Sequence, residues 1–210
     1  MSANPKQEAA AGSSRAAGKP SIASRALEWL WQHFSDVSHP QILDCGSVRQ
    51  ATVDVLLRRG SKLYLADLLT PLQRADPALW DRSGKHPVFL LEEFLHHLPD
   101  IPPESLSAIF CWHLLDLVPH DALPPLVTRL CSLLGPGGVL YGFLREPYLT
   151  RGAETAWWLE SLTTLANTGE GTAPFPCPAL TNREIERLLP TGSVKTFLTR
   201  AGRREVLAVK

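Results

Sequence analysis

A chain of 210 residues with 44% apolar side chains can bury one substantial core and carry a tail or an insertion. Its 21 basic and 21 acidic residues cancel to a formal net charge of zero, which excludes a strong global pull on nucleic acid or an anionic membrane. No apolar run reaches the roughly 18 residues of a membrane span, and no basic stretch followed by an apolar one opens the chain. Neither a transmembrane helix nor a secretory leader is therefore expected. Cys45, Cys111, Cys131 and Cys177 are widely spaced, with no C-x-x-C pair. That pattern suits free thiols in a reducing, cytoplasmic setting rather than zinc or a disulfide scaffold, and no metal ligand set is read.

Residues 1–20 are rich in Ala, Ser, Gly and Lys and read as a disordered tail ahead of a single domain spanning 21–210. Ser21 or Ser24 is placed to cap a helix through Phe34, with Ile22, Leu27, Leu30, Trp31 and Phe34 as its apolar face. Pro40 introduces a strand over 41–45. A helix over 51–59 ends at Gly60, which suits a helix C′ position, and a second strand covers 62–66. Residues 70–83 form a polar, Pro-broken connection with a short helix around Leu79 and Trp80. Residues 87–91 read as a third strand closed by Glu92 and Glu93, followed by a loop holding His96 and His97. A fourth strand spans 106–112, and a helix over 122–134 has Pro124 and Pro125 in its first turn. Gly135-Pro136-Gly137-Gly138 turns the chain into a fifth strand over 139–144. Segment 145–180 breaks the rhythm, with a helix over 153–166 carrying Trp157 and Trp158 and then a Gly- and Pro-rich loop. Thr181 and Glu184 form a capping box. Strands over 194–199 and 205–209 close the chain as an antiparallel hairpin.

Strands alternating with helices describe an α/β three-layer sandwich. Its first β-α-β unit is informative. Strand 41–45 runs into Gly46, and the next strand ends at Asp67, about 20 residues on, the spacing at which an acid meets the ribose hydroxyls of a nucleoside held at the carboxyl edge of a parallel sheet. A dinucleotide is disfavoured, because Val48 stands where the G-x-G-x-x-A frame needs its middle glycine. A nicotinamide-dependent oxidoreductase is set aside on that ground and on the closing hairpin.

Three stretches resemble class I S-adenosylmethionine-dependent methyltransferases. They are Ile42-Leu43-Asp44-Cys45-Gly46, Leu65-Ala66-Asp67, and Leu130-Cys131-Ser132-Leu133-Leu134-Gly135-Pro136-Gly137-Gly138-Val139-Leu140. The Pro-Gly-Gly turn together with the closing hairpin is the most specific of these signals. The resemblance covers roughly residues 38–210 and implies a mostly parallel seven-stranded sheet whose C-terminal hairpin sets a reversed strand between the fifth and sixth strands. It implies S-adenosylmethionine as co-substrate, an unidentified acceptor (a small molecule before a nucleic acid), and no membrane. One departure stands out: the second and third glycines of the family's turn are Val48 and Gln50, which damages the close backbone approach a ligand requires. The alternative is therefore a catalytically inactive, methyltransferase-like interaction subunit with a protein partner.

On this resemblance Asp67 would accept the ribose hydroxyls, against the plainer reading of a strand-end acid facing water. Asp44 would anchor the turn or reach the methionine amine, Gly46 and Ser47 would line the methionine end, and Leu68 would follow the ribose acid. Glu92 or Glu93 would meet the adenine amino group. Cys111 and Trp112 would wall the pocket, and a buried indole N–H there needs an acceptor. His113 is the candidate base, although a His at a strand end more often bonds backbone or water. Methyl transfer is an in-line displacement at an activated carbon, so alignment and water exclusion matter more than any catalytic side chain. Residues 145–180, with Tyr148, Trp157, Trp158 and Phe175, read as a lid, or as rings that merely fasten a helix to the sheet.

Overall fold

The computed structural model describes residues 21–169, 171–189, 193–199 and 202–210. The tail read over 1–20, and the residues joining the two closing strands at 200–201, lie outside them. Strand β1 (Ser21–Ala23) leads into helix α1 (Arg25–His33), where the Ser24 hydroxyl accepts the Leu27 N–H as an N-cap. Strand β2 (Gln41–Asp44), helix α2 (Gln50–Arg58) and strand β3 (Lys62–Leu65) follow as the sequence suggests. Gly60, at φ +82°, ends α2 with the left-handed turn that glycine adopts freely.

The third strand is where expectation and structure part. After helix α3 (Leu69–Gln73) and a 3-10 turn at Pro77–Leu79, strand β4 (Trp80–Asp81) pairs with β5 (Val88–Phe89) in a separate two-stranded ribbon. Glu92 and Glu93 then open helix α4 (Leu91–Leu95) instead of closing a sheet strand. Two residues of strand between Pro87 and a helix offer too few ladder bonds to join the main sheet, and Val88 is 57% exposed.

Strand β6 (Leu106–Trp112), helix α5 (Leu123–Leu133) and strand β7 (Leu134–Arg145) match expectation, except that the Pro-Gly-Gly stretch is itself the start of β7. The helix read over 153–166 is instead a hairpin of β8 (Trp157–Ser161) and β9 (Thr164–Asn167), and β1 pairs with β9. This small sheet sits on α2, where the Leu159 N–H donates to Thr52 Oγ1 at 3.0 Å. Helix α6 (Asn182–Leu188) starts at the full Thr181–Glu184 capping box, and β10 (Ser193–Leu198) pairs antiparallel with β11 (Arg203–Val209).

The main sheet is thus mixed and six-stranded, in the order β10-β11-β7-β6-β2-β3, rather than a mostly parallel one of seven strands. β7, β6, β2 and β3 are parallel neighbours, and β11 is reversed between β7 and β10 as the resemblance implied. The crossover through α2 leads outward from β2 to β3, and that through α5 leads the opposite way, from β6 to β7. Right-handed crossovers then put the two helices on opposite faces, giving three layers. Strand order reverses between β2 and β6, and in open α/β sheets the crevice beyond the carboxyl ends at such a switch point is the ligand position.

Candidate donor site at the switch point

Asp44 ends β2 and Trp112 ends β6, so the two residues flank the switch point. The pairing of β6 with β7 shifts register between Phe110 and Trp112, and Trp112 has φ +50°. That conformation is costly for a bulky side chain, at about 1–3 kcal/mol. Here it carries the indole over the turn after β2. Trp112 Nε1–H donates to Asp44 Oδ1 at 2.6 Å, and the Gly46 N–H donates to the same oxygen at 2.9 Å. A Cβ on Gly46 would lie 2.4 Å from Trp112 Nε1 and 2.5 Å from Cδ1. Only glycine permits this approach, and the group approaching is the protein's own indole.

Trp112 is 1% exposed and packs among Phe110, Tyr141 and Phe143, with ring centroids 5.8, 6.3 and 6.1 Å away. Burial pushes the Asp44 carboxyl up to about 6, against the opposing pull of the Trp112 and Gly46 hydrogen bonds. The neighbouring Asp67 charge raises it further.

Asp67 is equally engaged. Its Oδ1 accepts the Thr70 N–H at 2.9 Å and its Oδ2 the Thr70 hydroxyl at 2.7 Å. Ser47 Oγ lies 3.1 Å from Thr70 Oγ1, so the loops after β2 and β3 are tied across the gap. Leu68 is fully buried, its N–H donating to Cys45 O at 3.2 Å and to Ala66 O at 2.8 Å. Cys111 is also buried, beside Cys45, whose thiol is pushed up first by its bond with Cys111 and then by burial.

Asp44, Gly46, Ser47, Asp67, Leu68, Cys111 and Trp112 therefore share one edge of the sheet. Glu92 and Glu93 do not join them: both are exposed on α4, and Glu93 faces His96 at 3.4 Å. His113 is fully buried, with Nε2 3.1 Å from the Ala153 carbonyl and 3.3 Å from Gln73 Nε2. Burial, and then the Arg203 charge, lower its pKa to about 4. A neutral imidazole enclosed this way has no path to an acceptor. Val48 and Gln50 turn outward: Val48 is 53% exposed, and Gln50 donates to Asp54 Oδ1 at 2.7 Å. Beside them an open surface groove of about 440 Å³ is lined by Arg49, Gln50, Asp54, Arg58, Trp158 and Glu160. The outer side of the turn is open and its inner side is shut.

Sequence reasoning missed Thr70 and the course of Trp112. An Asp-x-x-Thr spacing at 67–70 was the available sign of the first. Nothing local signals the second. No group of His, Cys, Asp and Glu among the described residues is arranged to hold a metal ion. No helix among them is long and apolar enough to cross a membrane.

No family profile and no curated protein matches the chain. Among solved structures it is similar to an S-adenosylmethionine-dependent methyltransferase from Mesorhizobium loti, at 15% identity and TM-score 0.50, over 89% of this chain and 99% of that one. The fold is that of the class I S-adenosylmethionine-dependent methyltransferases. A methyltransferase from Methanosarcina mazei matches at 16% identity over 82% of this chain and 93% of its own, with TM-score 0.48. The 1,6-didemethyltoxoflavin-N1-methyltransferase of Burkholderia thailandensis, solved with S-adenosylhomocysteine, matches at 15% over 89% and 79%, with TM-score 0.46. At such identities the likeness is one of fold. The Mesorhizobium loti protein is S-adenosylmethionine-dependent, so that donor is the one to set against this site. In the arrangement described here, however, the indole of Trp112 covers the Gly46 turn, and both acids are bonded within the chain. The residues as placed do not fit the donor.

Proposed function

We propose that this chain is a methyltransferase-fold protein whose donor seat is shut, and that in this closed form it serves as a non-catalytic interaction module with a protein partner. One observation carries the reading: the Trp112 indole stands on Gly46 and bonds Asp44, filling the face of the turn on which the methionine end of S-adenosylmethionine would lie. The Thr70 bonds to Asp67 and the replacement of two turn glycines by Val48 and Gln50 support it. Opening the seat means removing a buried aromatic ring from its cluster and leaving Asp44 without its best donor.

A second reading rests on the φ of +50° at Trp112. Strain in a bulky residue at a ligand edge marks a position that has somewhere to relax to. On this reading the chain is an S-adenosylmethionine-dependent methyltransferase gated by Trp112, acting on a small-molecule acceptor. Isothermal titration of the wild-type chain with S-adenosylmethionine and S-adenosylhomocysteine separates the two. The closed module gives no saturable heat at millimolar ligand. A micromolar dissociation constant removes it in favour of the gate.

A further inference from the structure

Five of the eight buried side-chain atoms without a well-aligned hydrogen bond among the described residues fall in one cluster, His113 Nδ1, Asp116 Oδ1, Arg145 Nε, Trp157 Nε1 and Arg203 Nη1, and a sixth, Arg204 Nε, is ion-paired with Glu146 beside them. The cluster lies just beyond β6, at the end of β7 and at the start of β11, where Arg203 pairs with Arg145 in the ladder. Arg203 is at its centre. The residue is 6% exposed, and its guanidinium lies 5.3 Å from the Trp157 ring centroid and 5.9 Å from that of Phe175. Its side chain donates no hydrogen bond to any described residue.

The other two guanidiniums are largely spent on fixed partners. Arg145 donates to the Leu149 carbonyl at 3.1 Å and to the Cys177 carbonyl, and it lies 4.5 Å from the Phe175 centroid. Arg204 donates to Leu180 O at 2.7 Å, to Arg145 O at 3.2 Å and to Asn182, with Nε 3.1 Å from Glu146 Oε1. Asp116 is the interior acid. Its Oδ2 takes the Arg145 N–H at 2.9 Å, while Oδ1 is only within 3.8 Å of Arg145 Nε. Burial raises its carboxyl to about 6 in spite of the three arginines. The interior therefore holds more cation than anion, and its central cation lacks a hydrogen-bonded partner. A buried charge left in that state is among the costliest features a fold can keep.

A roof closes the cluster. The Gly152 and Ala153 N–H groups donate to Ala173 O at 2.8 and 3.2 Å, and the Glu154 carboxylate accepts the Ala173 N–H at 2.9 Å. This is local pairing between two loop segments, which can part without disturbing the main sheet.

We infer that the Arg203 guanidinium, with Arg145 Nε beside it, is a receptor for a compact oxyanion, the carboxylate group of a small molecule, held beneath the 150–156 and 171–175 loops. A guanidinium fork matches the two oxygens of a carboxylate. The orphaned N–H of Trp157 supplies a further donor, and His113, whose Nε2 faces the Ala153 carbonyl, stands beside the site as a reporter. This site does not depend on whether the donor seat opens.

The test uses the whole chain and sodium acetate as probe, against sodium chloride and sodium phosphate at matched ionic strength. Acetate is expected to raise the melting temperature saturably, with a millimolar midpoint that Arg203→Gln weakens at least tenfold. Acetate should also move the His113 imidazole nitrogen shifts in the wild-type NMR spectrum. Acetate acting no differently from chloride overturns the proposal, as does equal stabilisation of wild type and Arg203→Gln. Stabilisation by phosphate alone overturns the assignment to a carboxylate. Should Arg203→Gln not fold, Arg203→Lys, which keeps the charge and loses the fork, takes its place. Unmoved His113 shifts in the wild type then reject the site by themselves.

Discussion

Two polar regions sit at the same edge of one sheet and have opposite fates. At the ends of β2 and β3, the Asp44 and Asp67 carboxylates are both met from within, by Trp112, Gly46 and Thr70. Beyond β6 and β7, Arg203, His113 and Asp116 are just as buried, yet each keeps a polar atom without a hydrogen bond among the described residues. A site that satisfies itself has no call for a ligand, whereas one that cannot satisfy itself holds its free energy for something else. The closed region is the one whose sequence most resembles a donor site. The unsatisfied region contains no recognisable motif.

The sharpest way to break this contrast is to remove the plug. Trp112→Ala is expected to cost about 3–5 kcal/mol in denaturant unfolding, as for a large buried aromatic. Trp112→Phe, which keeps most of the packing and loses the bond to Asp44, should cost less than half of that. If both are near neutral, the indole is not part of the core and the seat is not closed.

Asp44→Asn keeps an acceptor for the indole and removes the buried charge. The folded pKa of Asp44 is raised to about 6 from 3.8, so the stability it contributes is complete below pH 3.8 and lost as pH rises through 6. The variant should equal wild type near pH 3.5 and exceed it by up to about 3 kcal/mol at pH 8, read by urea midpoints. His113 gives the opposite slope. Its folded pKa of about 4, against 6.5, makes its contribution complete above 6.5 and lost as pH falls through 4. A His113→Gln variant should accordingly lose to wild type only at the higher pH.

Gly46→Ala sets a methyl group against the indole at 2.4 Å and should destabilise by about 1–3 kcal/mol. An unchanged melting temperature would mean that Trp112 swings away freely, which favours the gated reading. The smallest effect expected is that of Thr70→Val, which removes the hydroxyl bond to Asp67 Oδ2, leaves the backbone N–H bond in place and unties the loops after β2 and β3 for about 1 kcal/mol, measured in the same way.

Local rules made much of this fold readable. Ser24 and the Thr181–Glu184 box opened their helices, Gly60 closed one, and the β2-α2-β3 unit and final hairpin lay where period and turn chemistry put them. The misreadings share a cause. Residues 153–166 carry good helix formers, but docking against α2 through Thr52 and Leu159 holds them as strands, so tertiary packing overrides propensity. Residues 87–91 have the look of a strand, yet only Val88 and Phe89 pair, and they pair with a segment outside the main sheet. The site followed the same division. Asp44, Gly46 and Asp67 were placed at one edge by the alternation of elements alone. That Trp112 would fold back onto Gly46 depends on a register shift and a positive φ, which no pattern of residue types encodes.

The most direct measurement follows the indole itself. In a proton–nitrogen NMR spectrum assigned with Trp112→Phe, the Trp112 Nε1–H should exchange slowly with solvent and hold its position as S-adenosylhomocysteine is added to millimolar concentration. A resonance that shifts or broadens saturably with the ligand would show the indole yielding its place, and the closed seat would be refuted.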